Sequence, residues 1–181
     1  MRDTTPHTDG RTIDSQQVFA GKLISLRVDR LFLSSGADVT REVVLHPAVV
    51  AILPILPDDR ILLVKEYRHP VEDHLWEIPA GLIEPDESPL IAARRELREE
   101  TGYEAEGWEK RVSFFTSPGF TDEVVTLYEA RGLSAVADPD PHEIETCRAF
   151  SLSELTGMIE DGTLRDAKTI LAILSHQVPS S

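Results

Sequence analysis

Three glutamates, Glu96, Glu99 and Glu100, stand at i, i+3 and i+4 within the segment Pro89 to Thr101. No other arrangement in the chain limits its structure so strongly. The segment reads as a helix, because Leu90, Ala93 and Leu97 fall at i, i+3 and i+7 in one apolar stripe. Ser88 suits its N-cap, Pro89 its first helical position and Gly102 the residue after its end. The spacing puts the three carboxylates on one helix face. Like charges so placed cost an isolated helix roughly a few tenths of a kcal/mol per pair. Arg95 precedes Glu99 by one turn and can pair with it, whereas Arg94 and Arg98 lie on other faces. The cluster needs more positive charge than these arginines provide. A hard divalent cation bound through oxygen ligands meets that need. A solvated, salt-bridged helix surface is the alternative.

Composition points the same way. The formal charge is −14, from 32 Asp and Glu against 18 Lys and Arg, so a nucleic-acid-binding surface is not expected. An acidic chain acting on phosphates should need divalent cations to bring the substrate in. Cys147 is the single cysteine. It excludes an internal disulfide and a cysteine-based zinc site, and reads as a small buried hydrophobe. Met1 to Thr12 carries no apolar run like that of a signal peptide, and no stretch approaches the ~18 apolar residues of a membrane span. A cytoplasmic protein without membrane contact is the expectation.

Residues 1–14 read as a flexible tail with almost nothing to bury. Residues 15–46 read as a β arm: Leu23 to Leu33, a Ser34–Gly36 turn, then Val39 to Leu45 form a hairpin or a short antiparallel sheet. Residues 47–181 form the main domain. It opens with two apolar runs, Val49 to Leu56 and Ile61 to Glu66, joined by a Pro57–Arg60 turn and expected to pair. Trp76 to Ala80 is a short extended piece. Val112 to Phe115 and Val124 to Tyr128 are further strands. Ser151 and Glu154 form a capping box that opens a helix closing near Gly162, and a last helix runs from about Asp166 to His176. This order predicts an α/β sandwich with a mixed sheet.

From Gly81 the chain reads Gly81, five residues, Glu87, seven residues, then Arg95-Glu96-Leu97-Arg98-Glu99-Glu100-Thr101-Gly102-Tyr103. This resembles the Nudix box, G-x5-E-x7-R-E-U-x-E-E-x-G-U with U a bulky apolar residue. All seven fixed positions match, and chance agreement is on the order of 10⁻⁸ to 10⁻⁹ per starting point at ordinary residue frequencies. Tyr103 alone departs, being aromatic where an aliphatic residue is usual. The resemblance implies a Nudix-type α/β/α sandwich with a mixed β-sheet, preceded by the N-terminal antiparallel β arm.

It also implies a hydrolase that uses Mg²⁺ or Mn²⁺, two or three ions per active site. In such enzymes the positions matching Glu96, Glu99 and Glu100 and the Ala80 carbonyl bind metal. Glu87 and Arg95 would tie loop to helix behind them. Gly81 and Gly102 would be positions where a left-handed or crowded backbone excludes a side chain.

Ser117-Pro118-Gly119-Phe120-Thr121-Asp122-Glu123 is similar to a stretch typical of ADP-ribose pyrophosphatases. The resemblance therefore implies hydrolysis of ADP-ribose to AMP and ribose 5-phosphate. Arg41, Arg68, Glu77, Pro118, Gly119 and Phe120 would contact the substrate. Glu143, Glu145 or Glu99 would serve catalysis, with Glu143 the first choice as proton acceptor. The arm implies a homodimer, with Arg41 reaching the partner's site. The alternatives are a hydrolase of another ADP-sugar, NADH or a dinucleotide, and a non-catalytic ADP-ribose sensor.

Overall fold

A computed structural model describes residues 10–136 and 144–177. The described residues fall into two units: the chain up to Pro47 with Phe115–Glu123, and Ala48–Phe114 with the residues from Val124 onward.

The first unit is an antiparallel meander of β1 (Gly10–Ala20), β2 (Ser25–Leu33) and β3 (Asp38–Leu45) in the order β1-β2-β3. The Ser34–Gly36 turn forms as expected: Gly36 takes φ 85°, and its N–H donates to the Leu33 carbonyl at 2.9 Å. β1 starts at Gly10, inside the stretch read as a tail. Pairing with β2 satisfies its backbone while its polar side chains stay in water. Asp29 of β2 is buried, held by the Ser15 hydroxyl at 2.6 Å and Arg27 Nε at 2.9 Å. Segment Phe115–Glu123 joins the end of β3, where Val44 N–H donates to the Phe120 carbonyl at 2.8 Å.

In the second unit the two apolar runs become β4 (Val49–Pro54) and β5 (Ile61–Arg68), with β6 (Asp73–Glu77) and β7 (Ala80–Leu82) after them. Next come α1 (Pro89–Thr101), β8 (Tyr103–Phe115), β9 (Val124–Ala135), β10 (Thr146–Phe150), α2 (Leu152–Glu160) and α3 (Ala167–His176). β4 and β5 do not form the expected pair. β4 enters a sheet of order β7-β4-β9-β8, parallel to β9 and antiparallel to β7, while β5 lies between β10 and β6. The two runs meet at their turn, through an Ile55–Ile61 bridge and the Leu56 N–H to Arg60 carbonyl bond at 2.9 Å. Both runs are buried along their apolar lengths, so each is a central strand of its own sheet rather than half of a hairpin.

Side chains alternate across β4, and this sets the layers. Val49, Ala51 and Leu53 share a core with Leu155, Ala172 and Ile173 of α2 and α3. Val50 and Ile52 share another with Ala92, Ala93 and Leu97 of α1. The mixed sheet thus has helices on both faces, the expected α/β/α sandwich. Cys147 packs partly buried against the α1 side, and burial, followed by the Glu100 charge, pushes its thiol up to about 12. Among the described residues no helix is long and apolar enough to cross a membrane.

Candidate active site

Helix α1 carries the site because its caps and stripe fix its rotation. Ser88 Oγ accepts from Ile91 N–H, and Gly102 closes the helix at φ 73°. Leu97 and Ala93 turn into the core, and this brings Glu96 and Glu100 to the buried edge at 8% and 6% exposure. Glu99 stays on the exposed side, its side chain 49% accessible. The face shared in the sequence is therefore divided. At 100° per residue, Glu99 and Glu100 sit on opposite flanks of Glu96, and only Glu100 is turned inward.

β7 runs across this pair. An added Cβ at Gly81 would lie 2.1 Å from the Glu96 carboxylate. Gly81 does not have the left-handed φ that Gly102 has, so crowding is what demands glycine there. Ala80 N–H donates to Glu100 Oε2 at 3.3 Å. Burial, then the charges of Glu96 and Glu66, push Glu100 well above the usual carboxylate range.

Arg95 gathers the loop and helix. Its Nε and Nη2 donate to Glu87 at 3.1 and 3.0 Å, Nη1 donates to Glu96 at 2.6 Å and Glu99 at 3.1 Å, and Nη2 reaches the Leu82 carbonyl at 2.9 Å. Bonding to Glu87, then to Glu96 and Glu99, raises the Arg95 guanidinium above its usual range, so it stays charged. Beside it lies a cavity of ≈ 660 Å³ whose wall includes Glu66, Arg68, Ala80, Gly81, Glu96 and Glu100.

A family model described as the NUDIX domain matches residues 44–173. The chain belongs to the NUDIX family. Its relatives include a methanol dehydrogenase activator of Bacillus methanolicus, 42% identical over 90% of each chain. An ADP-ribose pyrophosphatase of Bacillus subtilis is 40% identical over 90% of each chain. The solved structure of an ADP compounds hydrolase, 24% identical, superposes with TM-score 0.84 over 93% of this chain and 92% of the other, which shows the shared fold.

Nudix hydrolases require a divalent cation, and the residues of this chain fit one. Two buried carboxylates face a cradle that any side chain at position 81 would fill, and Glu100 has more negative charge around it than positive. That is a hard-oxygen donor set. Among the described residues, no three His, Cys, Asp or Glu side chains are gathered closely enough to hold an ion as they stand. Arg95 occupies the nearer face of Glu96 and keeps Glu99 at the rim.

The other expected site residues of this Nudix chain divide clearly. Arg68 lines the cavity. Glu77, expected at the substrate, is 2% exposed, and both its oxygens accept from Arg68 at 2.8 Å. Glu145 pairs with Lys65 at 3.6 Å and His74 at 3.3 Å and is not part of the cavity wall. Lys65 projects from the opposite face of β5 to Glu66 and Arg68, so a side chain paired with it lies away from them. Glu143 lies outside the described residues. Arg41, Pro118, Gly119 and Phe120 belong to the first unit. There Arg41 donates to the Thr40 carbonyl at 3.0 Å and Phe120 is 58% exposed. Glu66 was not foreseen as a site residue. The strand pattern could have found it, since Glu66 and Arg68 share a face of β5 and pair at 2.8 Å.

Proposed function

We propose that the chain hydrolyses the diphosphate of ADP-ribose to AMP and ribose 5-phosphate. The observation that carries this is the buried Glu96–Glu100 pair, Glu96 against Gly81 and Glu100 on the Ala80 N–H, in a cavity whose wall presents Arg68. The ADP-ribose pyrophosphatase relative, 40% identical, supports the choice of substrate.

Glu96, Glu100 and the Ala80 carbonyl hold the cation, with Glu99 sharing from the rim. The cation is Mg²⁺, two or three ions, which when bound offsets the diphosphate charge and favours attack by water. Arg68 donates to the diphosphate oxygens, and Glu77 fixes Arg68 from below. Glu87 and Arg95 hold the loop against α1 and so keep Gly81 over Glu96. Glu143 takes the proton from the attacking water, while Glu145, already paired with Lys65 and His74, anchors the start of β10. Arg41, Pro118, Gly119 and Phe120 make the substrate contacts that the sequence resemblance implies. The arm forms a homodimer, a reading supported by the exposed Val18, Phe19, Leu23 and Phe32, 48–53% accessible in a lone three-stranded sheet.

The test is AMP release from ADP-ribose by the purified protein with Mg²⁺, then with EDTA, beside ADP-glucose, NADH, diadenosine polyphosphates and 8-oxo-dGTP. EDTA-sensitive AMP formation that favours ADP-ribose is expected. A preference for another compound would replace the substrate. Silence on all of them, with Mg²⁺ and Mn²⁺ alike, would refute the hydrolase.

A further inference from the structure

A chain of charges with the buried Glu77 at its centre connects β5, through β6, to the start of α3. Glu77 Oε1 accepts from Arg68 Nε and Oε2 from Arg68 Nη2, each at 2.8 Å. Lys168 Nζ also reaches Glu77 Oε2, and it donates to Asp166 Oδ1 at 2.9 Å. Asp166 in turn caps α3 by accepting from Thr169 N–H at 2.9 Å. A second tie joins the same region to α3: Ile78 N–H donates to Thr169 Oγ1 at 2.9 Å, and that hydroxyl donates to Asp166 Oδ2 at 2.5 Å.

We propose that Lys168 is a positioning residue that, through Glu77, sets the Arg68 guanidinium for the substrate diphosphate. This rests on the reading of Arg68 as a diphosphate ligand.

Charge balance is the first reason. Arg68 meets two carboxylates, Glu77 below and Glu66 beside it, the latter at 2.8 Å from Nη1. A single guanidinium between two carboxylates is already neutralised and has little pull left for an anion. Lys168, itself shared with Asp166, brings a second cation to Glu77, so that carboxylate draws less on Arg68 and leaves more of its attraction for phosphate. Burial pushes the Lys168 ammonium down, but Asp166 and Glu77 push it further up, so it stays charged.

Geometry is the second reason. A guanidinium has five N–H donors, and the contacts with Glu77 and Glu66 engage Nε, Nη2 and Nη1 once each. One further N–H on each Nη remains, the pair that a diphosphate oxygen can accept from. Glu77 controls their direction by its two-point grip, and Lys168 holds Glu77 from the other side. Pinning α3 does not itself require a lysine, since Thr169 already ties that helix to Ile78.

Lys168→Met keeps most of the stem and removes the charge, whereas Lys168→Arg keeps the charge. The readouts are KM and kcat for ADP-ribose, the calorimetric Kd of inorganic pyrophosphate on Mn²⁺-loaded protein, and Tm. Lys168→Met should raise KM and the pyrophosphate Kd about tenfold with kcat within about twofold, the signature of a lost ground-state contact. Lys168→Arg should bring both back to within about threefold of wild type. In an Arg68→Ala background, Lys168→Met should add nothing, because both changes remove one interaction. Thr169→Val should lower Tm and change KM and Kd far less than Lys168→Met, since Asp166 keeps its bonds from Thr169 N–H and Lys168. Wild-type KM and Kd in Lys168→Met, whatever its Tm, would overturn the proposal, as would effects that multiply with Arg68→Ala. If Lys168→Met does not fold, Lys168→Gln enters the same comparison. If the wild type releases no AMP from ADP-ribose, the substrate reading fails alone, and the pyrophosphate Kd still decides the role of Lys168.

Discussion

Gly81→Ala tests the site with the least chemical change. The added methyl would lie 2.1 Å from Glu96 Cδ and Oε1 and 2.4 Å from Oε2. An ordinary contact is about 3.5 Å, so the carboxylate must retreat by more than 1 Å. It can do so cheaply, since it is the far end of a flexible side chain and the φ of Gly81 is not left-handed. The retreat breaks the 2.6 Å bond from Arg95 Nη1 and moves the carboxylate proposed to hold the metal off its position. A displacement of about 1 Å in a positioned catalytic group costs about 10²-fold in rate. Stability should change little, because alanine also narrows the unfolded ensemble by about 0.4–1 kcal/mol. We expect kcat for ADP-ribose to fall about 10²-fold, Mn²⁺ affinity measured by electron paramagnetic resonance to weaken at least tenfold, and Tm to stay within about 4 °C of wild type. Wild-type turnover and metal affinity in Gly81→Ala would refute the cradle. A collapse in Tm would show that the backbone, not Glu96, had given way.

Glu100→Gln should abolish turnover, yet raise the Tm of the metal-free protein by about 2–4 °C, because it removes a buried charge that Glu96 and Glu66 oppose; thermal melts in EDTA check this, and an unchanged or lower Tm would contradict it. Glu143→Gln should lower kcat about 10²-fold or more, while Glu145→Gln stays within about threefold, since Glu145 already serves Lys65 and His74; single-turnover rates compare the two, and equal losses would unseat the assignment. Glu129 supplies a pH dependence. Burial alone would push it up, but Arg131 at 2.7 Å and His176 at 3.1 Å hold it below its usual 4.5. Its contribution to stability is therefore complete above 4.5 and lost as the pH falls below that value. Urea unfolding across pH 6 to about 3 should show a limb that Glu129→Gln flattens, and parallel curves for the two proteins would remove Glu129 from the account.

How much of this could be read from the sequence depends on how far apart the interacting residues stand along the chain. Helix α1 was legible from end to end, because Ser88, Pro89, the Leu90–Ala93–Leu97 stripe and Gly102 act within a few turns of one another. The glutamates were legible as a set but not as individuals. Spacing puts Glu96, Glu99 and Glu100 together, and only the depth of Leu97 in the core decides that Glu96 and Glu100 go in while Glu99 stays out. β4 and β5 were found as strands and mispaired, since a run buried on both faces looks the same in a hairpin and at the centre of a separate sheet. The Glu145 side chain failed for a different reason: the Thr146–Lys65 register carried one residue further would set it across from Glu66, but Glu145 precedes the first paired residue of β10 and turns to Lys65 and His74 instead. Where pairing of that kind begins cannot be read before the partner strand is known. Lys168 shows the limit most clearly. Nothing within its own helix separates it from a surface lysine, and its meaning comes from Glu77, on a strand far away in the sequence. A charge set beside a site belongs to the residue it balances, so the search for positioning groups has to begin from Arg68 and the carboxylates around it, and then ask which distant cation shares them.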